Sequence, residues 1–275
     1  MEGSKKIICI NDLSGMGKCS LTVAIPILSV MGIQSVAVPT AILSAHTGFP
    51  NYSFFDFTDY MPDYLKNLSK LNMNFDMIYS GFLGSENQIE IVLDFVRQNK
   101  ESQFLCDPVM GDNGEIYSTY TDKMCQEMQE LVKNADIITP NITEASILTG
   151  IEYPGENISI EKAKELAKLL SSLGPKTVIL TGIEPDEKTI INMAYKKETD
   201  DYIICKTNRS RIDYPGTGDI FASIIAGSLT NGEDISKALR KASDFIKEAS
   251  DITIPVGSPK YCGIMFEKIL DKLKG

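Results

Sequence analysis

Positive charge is scarce in this chain. Twenty-seven Lys and Arg face 37 Asp and Glu, for a net charge of −10. Nucleic acid and anionic lipid require clustered cations to neutralise their phosphates, so neither partner is expected. If the ligand is a nucleotide, metal ions and backbone amides must offset the negative field. Histidine is scarcer still, His46 being the only one. The six cysteines, at 9, 19, 106, 125, 205 and 262, include no Cys-x-x-Cys pair and no His-Cys cluster, which argues against zinc. Most lie in apolar runs such as Ile7-Ile8-Cys9-Ile10, where a reduced thiol packs as a small hydrophobe, and a reducing, cytoplasmic compartment is expected. Only four apolar residues separate Lys6 from Asn11, too few for a secretory signal, so export is not expected. The uncharged segment 19–45 is long enough to cross a bilayer. Pro26, Gly32, Gln34 and Pro39 break it at intervals that suit a helix, a turn and a strand instead.

What is present reads as a soluble α/β protein. Hydrophobic residues make up 43% of the chain and charged residues 23%, enough for a substantial core without staples. Strand-length apolar runs recur at 6–10, 34–38, 77–79, 104–106, 137–139, 178–180 and 202–205. Helical periodicity lies between them: 86–98 places Ile89, Val92, Leu93 and Val96 on one face, and 160–173 does so with Ala163, Leu166, Ala167 and Leu170. After residue 205 the pattern predicts helices at 217–230, 236–249 and 261–274. No linker, repeat or composition break divides residues 1–275. The expected architecture is one three-layer α/β/α domain with a doubly wound, mostly parallel central sheet. Ligands of such sheets collect at the carboxyl ends of the strands.

Six of the apolar runs end in polar sequence of that kind. They lead into Asn11-Asp12-Leu13-Ser14-Gly15-Met16-Gly17, Ser44-Ala45-His46-Thr47-Gly48, Ser80-Gly81-Phe82-Leu83-Gly84, Asp107-Pro108-Val109-Met110-Gly111-Asp112, Thr139-Pro140-Asn141-Ile142-Thr143-Glu144 and Thr181-Gly182. Any one could be a turn or a cap; in succession they describe a single cleft. Met16-Gly17-Lys18-Cys19-Ser20 is not a Walker A loop, because that pattern requires Gly where this chain has Asp12 and Ser or Thr where it has Cys19. Asp107, Asp112 and Glu144 have no neighbouring Lys or Arg, which suits either Mg²⁺ held together with substrate phosphates or ordinary solvated loop acids. Asn141 can donate to a phosphate or cap the helix that begins near Ile142. His46 can be a general base or a hydrogen-bonded structural residue, with no partner acid identifiable in the sequence. Thr47 and Gly48 suit a small polar ligand.

Tyr214-Pro215-Gly216-Thr217-Gly218-Asp219 stands immediately before an apolar helical stretch. Glycines allow close backbone approach to an anion, and the first N–H groups of a helix lack intrahelical acceptors. Asp219 would repel a phosphate, so its place there points to proton removal from an attacking hydroxyl. The competing reading is a turn with an Asp or Thr N-cap.

Together these motifs resemble the ribokinase-like superfamily and, within it, the pyridoxal kinase group of vitamin B6 salvage. The likeness rests on the 44–48, 80–85, 106–112 and 137–144 segments and on Gly216-Thr217-Gly218-Asp219, and so covers most of the chain. It implies ATP-dependent phosphorylation of the 5′-hydroxymethyl group of pyridoxal, pyridoxine or pyridoxamine. Asp219 would be the base, and Gly216, Thr217 and Gly218 the anion hole. Asp107 and Glu144 would organise Mg²⁺, with a monovalent cation such as K⁺, while Asp112, Asn141, Thr181 and Gly182 match ATP contacts. Thr47, Phe82 and Tyr117 match positions near the pyridine ring, Tyr117 lying in a segment that would cover the site as a flap. Where many members have a ring-contacting serine after the first strand, this chain has Asn11-Asp12-Leu13-Ser14, so either Asp12 or Ser14 takes that role. Phe82 replaces a frequent tyrosine. Members typically form homodimers. The neighbouring hydroxymethylpyrimidine kinases of thiamine synthesis are the alternative within the fold, and a non-catalytic nucleotide-binding domain, which would not need Asp219, is the alternative outside catalysis.

Overall fold

Side-chain alternation along the strands sets the layers of this protein. In the computed structural model, which describes residues 3–155, 157–209 and 212–274, the first half runs β1 (Lys6–Met16), α1 (Ser20–Val30), β2 (Gln34–Ala45), β3 (Phe54–Asp56), α2 (Met61–Ser69), β4 (Met77–Ser80), α3 (Glu86–Gln98) and β5 (Gln103–Cys106). The second half runs β6 (Gly111–Asp112), β7 (Glu115–Ile116), α4 (Asp122–Lys133), β8 (Ile137–Ile138), α5 (Ile142–Thr149), α6 (Ile160–Leu173), β9 (Thr177–Asp186), β10 (Thr189–Lys196), β11 (Asp201–Asn208), α7 (Thr217–Thr230) and α8 (Ile235–Thr253). Nine strands form one sheet in the order β11-β10-β9-β8-β5-β4-β1-β2-β3. The six from β9 to β2 are parallel. Antiparallel β10 and β11 extend one edge and β3 the other.

Ile8 and Ile10 of β1 enter one buried cluster with residues of α2 through α6, whereas Ile7 and Cys9 enter the opposite cluster with α1, α7 and α8. Strands β4, β5, β8 and β9 divide their residues in the same alternating way. Both faces of the sheet are therefore covered, as a run of apolar residues with period two and no polar face requires. The uncharged 19–45 segment resolves into α1, a turn at Met31-Gly32 and β2, and no described helix is long and apolar enough to cross a membrane.

Several boundaries differ from the sequence reading, among them β9, which runs past 180 to Asp186 and takes in Thr181 and Gly182. Strands β1 and β2 continue past 10 and 38 to Met16 and Ala45, so Asp12 and Ser14 lie within a strand and not in a loop. The single helix expected over 261–274 is replaced by two short 3₁₀ segments, Lys260–Cys262 and Phe266–Leu273. Gly263 divides them with φ +70°, a conformation that ends any right-handed helix and that side chains disfavour.

Candidate active site

The turn that opens α7 has Gly216 as its N-cap, with φ +82° and no side-chain acceptor. This overturns the reading of Thr217 or Asp219 as a cap. A β-carbon on Gly216 would stand 1.7 Å from the Lys18 carbonyl oxygen, so a glycine is needed for α7 to start against the loop leading into α1. A β-carbon on Gly218 would meet nothing within 4 Å, so the space before the turn is open. N–H groups without a cap, an aligned helix dipole and open space are the requirements of an anion site.

Asp219 follows on the first turn of α7, enclosed on most sides but open to the cleft. Burial is the main cause raising its proton affinity; the Ser20 N–H opposes it, the Asp12 charge adds to it, and the Asn11 amide lowers it again. The resulting pKa is about 7. A carboxyl poised there can take a proton near neutral pH. Burial likewise raises Asp107, with the Asp219 charge adding and the Thr139 hydroxyl opposing. Glu144 is raised by burial and then by the Asp107 charge.

These acids fit a hard cation. Asp107 and Glu144 are buried, and the Thr139 hydroxyl donates to Asp107 Oδ1 at 3.0 Å. Glu144 accepts from the Met110 and Asn141 N–H groups, at 3.2 and 2.9 Å, one on each oxygen. Carboxylates raised by burial, and further by each other's charge, are stabilised as anions by a nearby metal. Among the described residues no three His, Cys, Asp or Glu converge closely enough to hold a metal by themselves. Two carboxylates are enough to hold a hard cation such as Mg²⁺, whose shell is completed by water and substrate phosphate.

The raised affinities predict the sign of a pH effect. Between the ordinary carboxyl pKa near 4 and the value of about 7 at Asp219, the folded protein binds more protons than the unfolded chain. Stability from this group is therefore present at the acid end and lost as pH rises through that window. The nucleotide-free protein is expected to lose melting temperature from this source between pH 5 and 7.5. Asp219→Asn should flatten the slope, which calorimetry in the two backgrounds would measure; an unchanged slope would contradict the assignment.

The β6–β7 hairpin borders the same cleft. Its turn is Asn113-Gly114, both residues at positive φ, +52° and +81°, as a two-residue type I′ turn demands. Thr143 at the start of α5 accepts the Gly114 N–H at 2.9 Å, and the Asn141 amide donates to the Gly111 carbonyl at 2.8 Å. Asn141 also accepts from the Glu144 N–H while Glu144 accepts from the Asn141 N–H, a capping box. Asn141 is thus a cap with both ends of its amide engaged in the protein. The carboxylate of Asp112, exposed on the hairpin, accepts from the N–H and side-chain amide of Asn113.

A cleft of about 370 Å³ joins these parts. It brings together Asp107, Asp112, Tyr117, Asn141, Glu144, Thr181 and Gly182 with Gly216, Thr217, Gly218 and Asp219. Two cations not singled out in the sequence, Arg209 and Lys247, also line it. Arg209 pairs with Glu184 at 2.9 Å and Lys247 with Asp251. Asp12, Ser14, Thr47 and Phe82 do not line the cleft; Asp12 and Ser14 lie within the second half of β1, and Thr47 and Phe82 just beyond the ends of β2 and β4. Asp12 and Ser14 are buried, the hydroxyls of Ser14 and Ser20 donating to the Asp12 carboxylate. Thr47 is exposed and Phe82 half-buried, its ring edge-on to Tyr120 at 6.4 Å. His46 takes its structural role: Nδ1 accepts the Gly48 N–H at 3.0 Å, leaving Nε2 to donate to the Tyr261 carbonyl at 2.8 Å. Asn11, which the sequence does not distinguish from a turn residue, donates to Asp219 Oδ1 at 3.2 Å.

Comparison with known proteins adds a family to this geometry. The phosphomethylpyrimidine kinase family matches residues 27–263, most of the chain. The chain belongs to that family. This kinase is 30% identical over 220 residues to the pyridoxal kinase of Ovis aries, covering 72% of the chain and 69% of the sheep protein. It is 32% identical over 186 residues to a hydroxymethylpyrimidine/phosphomethylpyrimidine kinase of Haemophilus influenzae, covering 64% and 65% of the two chains. Among solved structures, a Bacteroides thetaiotaomicron protein assigned as a phosphomethylpyrimidine kinase, in an orthorhombic form with pyridoxal, superposes with a TM-score of 0.93. That protein is 42% identical, over 99% of this chain and 96% of its own. The pyridoxal kinase resemblance read from the motifs and the mostly parallel α/β fold are both borne out.

Proposed function

We propose that this kinase transfers the γ-phosphoryl group of ATP to the 5′-hydroxymethyl group of a B6 vitamer, pyridoxal, pyridoxine or pyridoxamine, in the cytoplasm and as a homodimer. The observation that carries the reading is Asp219, a carboxyl with a pKa of about 7 on the first turn of a helix whose N-terminus has no side-chain cap. Asp219 accepts the hydroxyl proton as the acceptor oxygen bonds to the γ-phosphorus and the bond to the β,γ-bridging oxygen breaks. The N–H groups that follow Gly216 hold the transferring phosphoryl oxygens, and Thr181, Gly182, Asp112 and Asn141 border the nucleotide. Asp107 and Glu144 would hold Mg²⁺, which with a monovalent cation such as K⁺ would supply the positive charge that this acidic site otherwise lacks. Tyr117 and the β6–β7 hairpin cover the reacting groups and exclude water, the competing acceptor. Thr47 and Phe82 border the ring, while Asp12 and Ser14, buried and hydrogen-bonded to each other, offer it little surface.

The likeness to a Bacteroides protein crystallised with pyridoxal supports this acceptor. The Haemophilus relative and the family description favour hydroxymethylpyrimidine, a ring of similar size carrying the same primary alcohol, as the second reading. Phosphorus NMR of the product from ATP and pyridoxal tests the proposal: a 5′-phosphate monoester is expected, and inorganic phosphate alone would contradict it.

Glu144→Gln tests the metal assignment. Glutamine keeps the capping box, since its one oxygen can accept the Asn141 N–H as glutamate does, while its NH₂ then faces the Met110 N–H and that tie is lost. Loss of the charge is expected to shift the Mg²⁺ dependence of turnover to higher concentration and to weaken nucleotide binding. An unaltered Mg²⁺ titration would remove Glu144 from the metal site.

A further inference from the structure

Base, acceptor-side loop and first strand meet at one side chain. Asn11 is 1% exposed. Its Oδ1 accepts from the N–H groups of Asp12 and Phe82, at 3.0 and 2.9 Å, and its Nδ2 donates to Asp219 Oδ1 at 3.2 Å. The two N–H donors fix which way the amide faces, because the flipped group would set its NH₂ against them. Gly81 leaves the room for it: a β-carbon there would fall 2.3 Å from Asn11 Nδ2.

The segment carrying Phe82 is held at three further points. The Gly81 N–H donates to the Ile10 carbonyl at 2.9 Å, Thr40 Oγ1 donates to the Phe82 carbonyl at 2.9 Å, and the Gly84 N–H donates to Gln88 Oε1 at 2.7 Å. Of the four ties, the one through Asn11 is the one that reaches Asp219.

We propose that Asn11 is a positioning residue that couples the acceptor-side loop at Phe82 to the base at Asp219. By holding one carboxylate oxygen it sets the direction of the other, at a fixed offset from a ring packed on Phe82. An acceptor seated on that loop then presents its hydroxyl to an oxygen already aimed at it, and orientation of this kind is worth large factors in rate. This inference rests on the reading of Asp219 as the base.

Asn11→Asp separates the two halves of the amide. It keeps an acceptor for the Asp12 and Phe82 N–H groups at nearly constant volume and replaces the donor to Asp219 with a carboxyl that repels it when both are ionised. With ATP saturating, kcat is expected to fall at least about tenfold while the acceptor KM moves less than about threefold, the signature of lost orientation and not lost binding. Asn11→Ala frees the Phe82 N–H as well, and should raise the acceptor KM besides. The decisive comparison repeats Asn11→Asp in an Asp219→Asn background, where the donor and acceptor have merely been exchanged. There kcat should change less than about threefold, because residues acting through one contact are not additive.

Equal losses in both backgrounds would overturn the coupling and leave the base assignment standing. Wild-type turnover in Asp219→Asn alone would overturn the base assignment, and the role of Asn11 with it. Nucleotide affinity, measured by calorimetry, reports whether each variant is folded. If Asn11→Asp alone does not fold, Asn11→Ala compared with Asn11→Ala/Asp219→Asn gives the same test with the same outcomes.

Discussion

Asp219→Asn is expected to lower turnover on the order of 10² or more, the scale of a lost general base, while ATP still binds. The substitution changes no volume and leaves the Gly216 turn intact, so the helix N-terminus remains available to phosphate. What disappears is the group that accepts the hydroxyl proton. The same carboxyl predicts the acid limb of the wild-type profile: activity should rise with pH through about 7 as Asp219 loses its proton. Bound metal and nucleotide change the local charge, so the limb in kcat/KM, which reports free enzyme, is the one to compare. Steady-state turnover together with ATP affinity checks the prediction. Loss of both together would show damage to the nucleotide site and not to the base, and a non-catalytic nucleotide-binding domain would show no effect on either.

The second large effect is expected at Gly216. Alanine there meets two independent obstacles, a β-carbon 1.7 Å from the Lys18 carbonyl oxygen and a φ of +82° that L-residues disfavour. Both opposing groups are backbone, so relief requires the starts of α1 and α7 to separate. Gly216→Ala should destabilise the protein by at least about 2 kcal/mol, combining overpacking with left-handed strain. Activity should fall further than stability requires, because the separation moves Asp219 away from the Ser20 N–H and the Asn11 amide that orient it. Gly218→Ala is the control: its β-carbon meets nothing within 4 Å, so stability should be nearly kept and any loss should fall on phosphate approach. Thermal melts and kcat of the two variants separate the effects.

The layers were legible because buried parallel strands are apolar on both faces, and β1, β4 and β5 announce themselves as unbroken apolar runs. Strand β10 was not legible: Asn192 interrupts its apolar run, yet it is buried because its amide donates to Ser243 on α8. The 261–274 segment has helical spacing, and only the left-handed φ of Gly263 and the 3₁₀ winding after it show why no α-helix forms. At the site, the carboxylates and the Gly216 turn could be found from their places after strands. Their proton affinities could not, since these come from burial and from neighbours distant in sequence, as Asp219 is from Asp12 and Asp107. Asn11 is the clearest omission. Its significance depends on β4 pairing beside β1, which brings the Phe82 N–H within reach, and on α7 crossing above; neither is written into residues 11–14.

The measurement closest to the central claim is ADP release in a coupled assay with pyridoxal, pyridoxine, pyridoxamine and hydroxymethylpyrimidine compared at equal concentration. The account predicts acceptor-dependent release with at least one B6 vitamer at a higher kcat/KM than hydroxymethylpyrimidine, lowered on the order of 10² or more by Asp219→Asn. Release that is greatest with hydroxymethylpyrimidine, or no greater with any vitamer than with water alone, would contradict it.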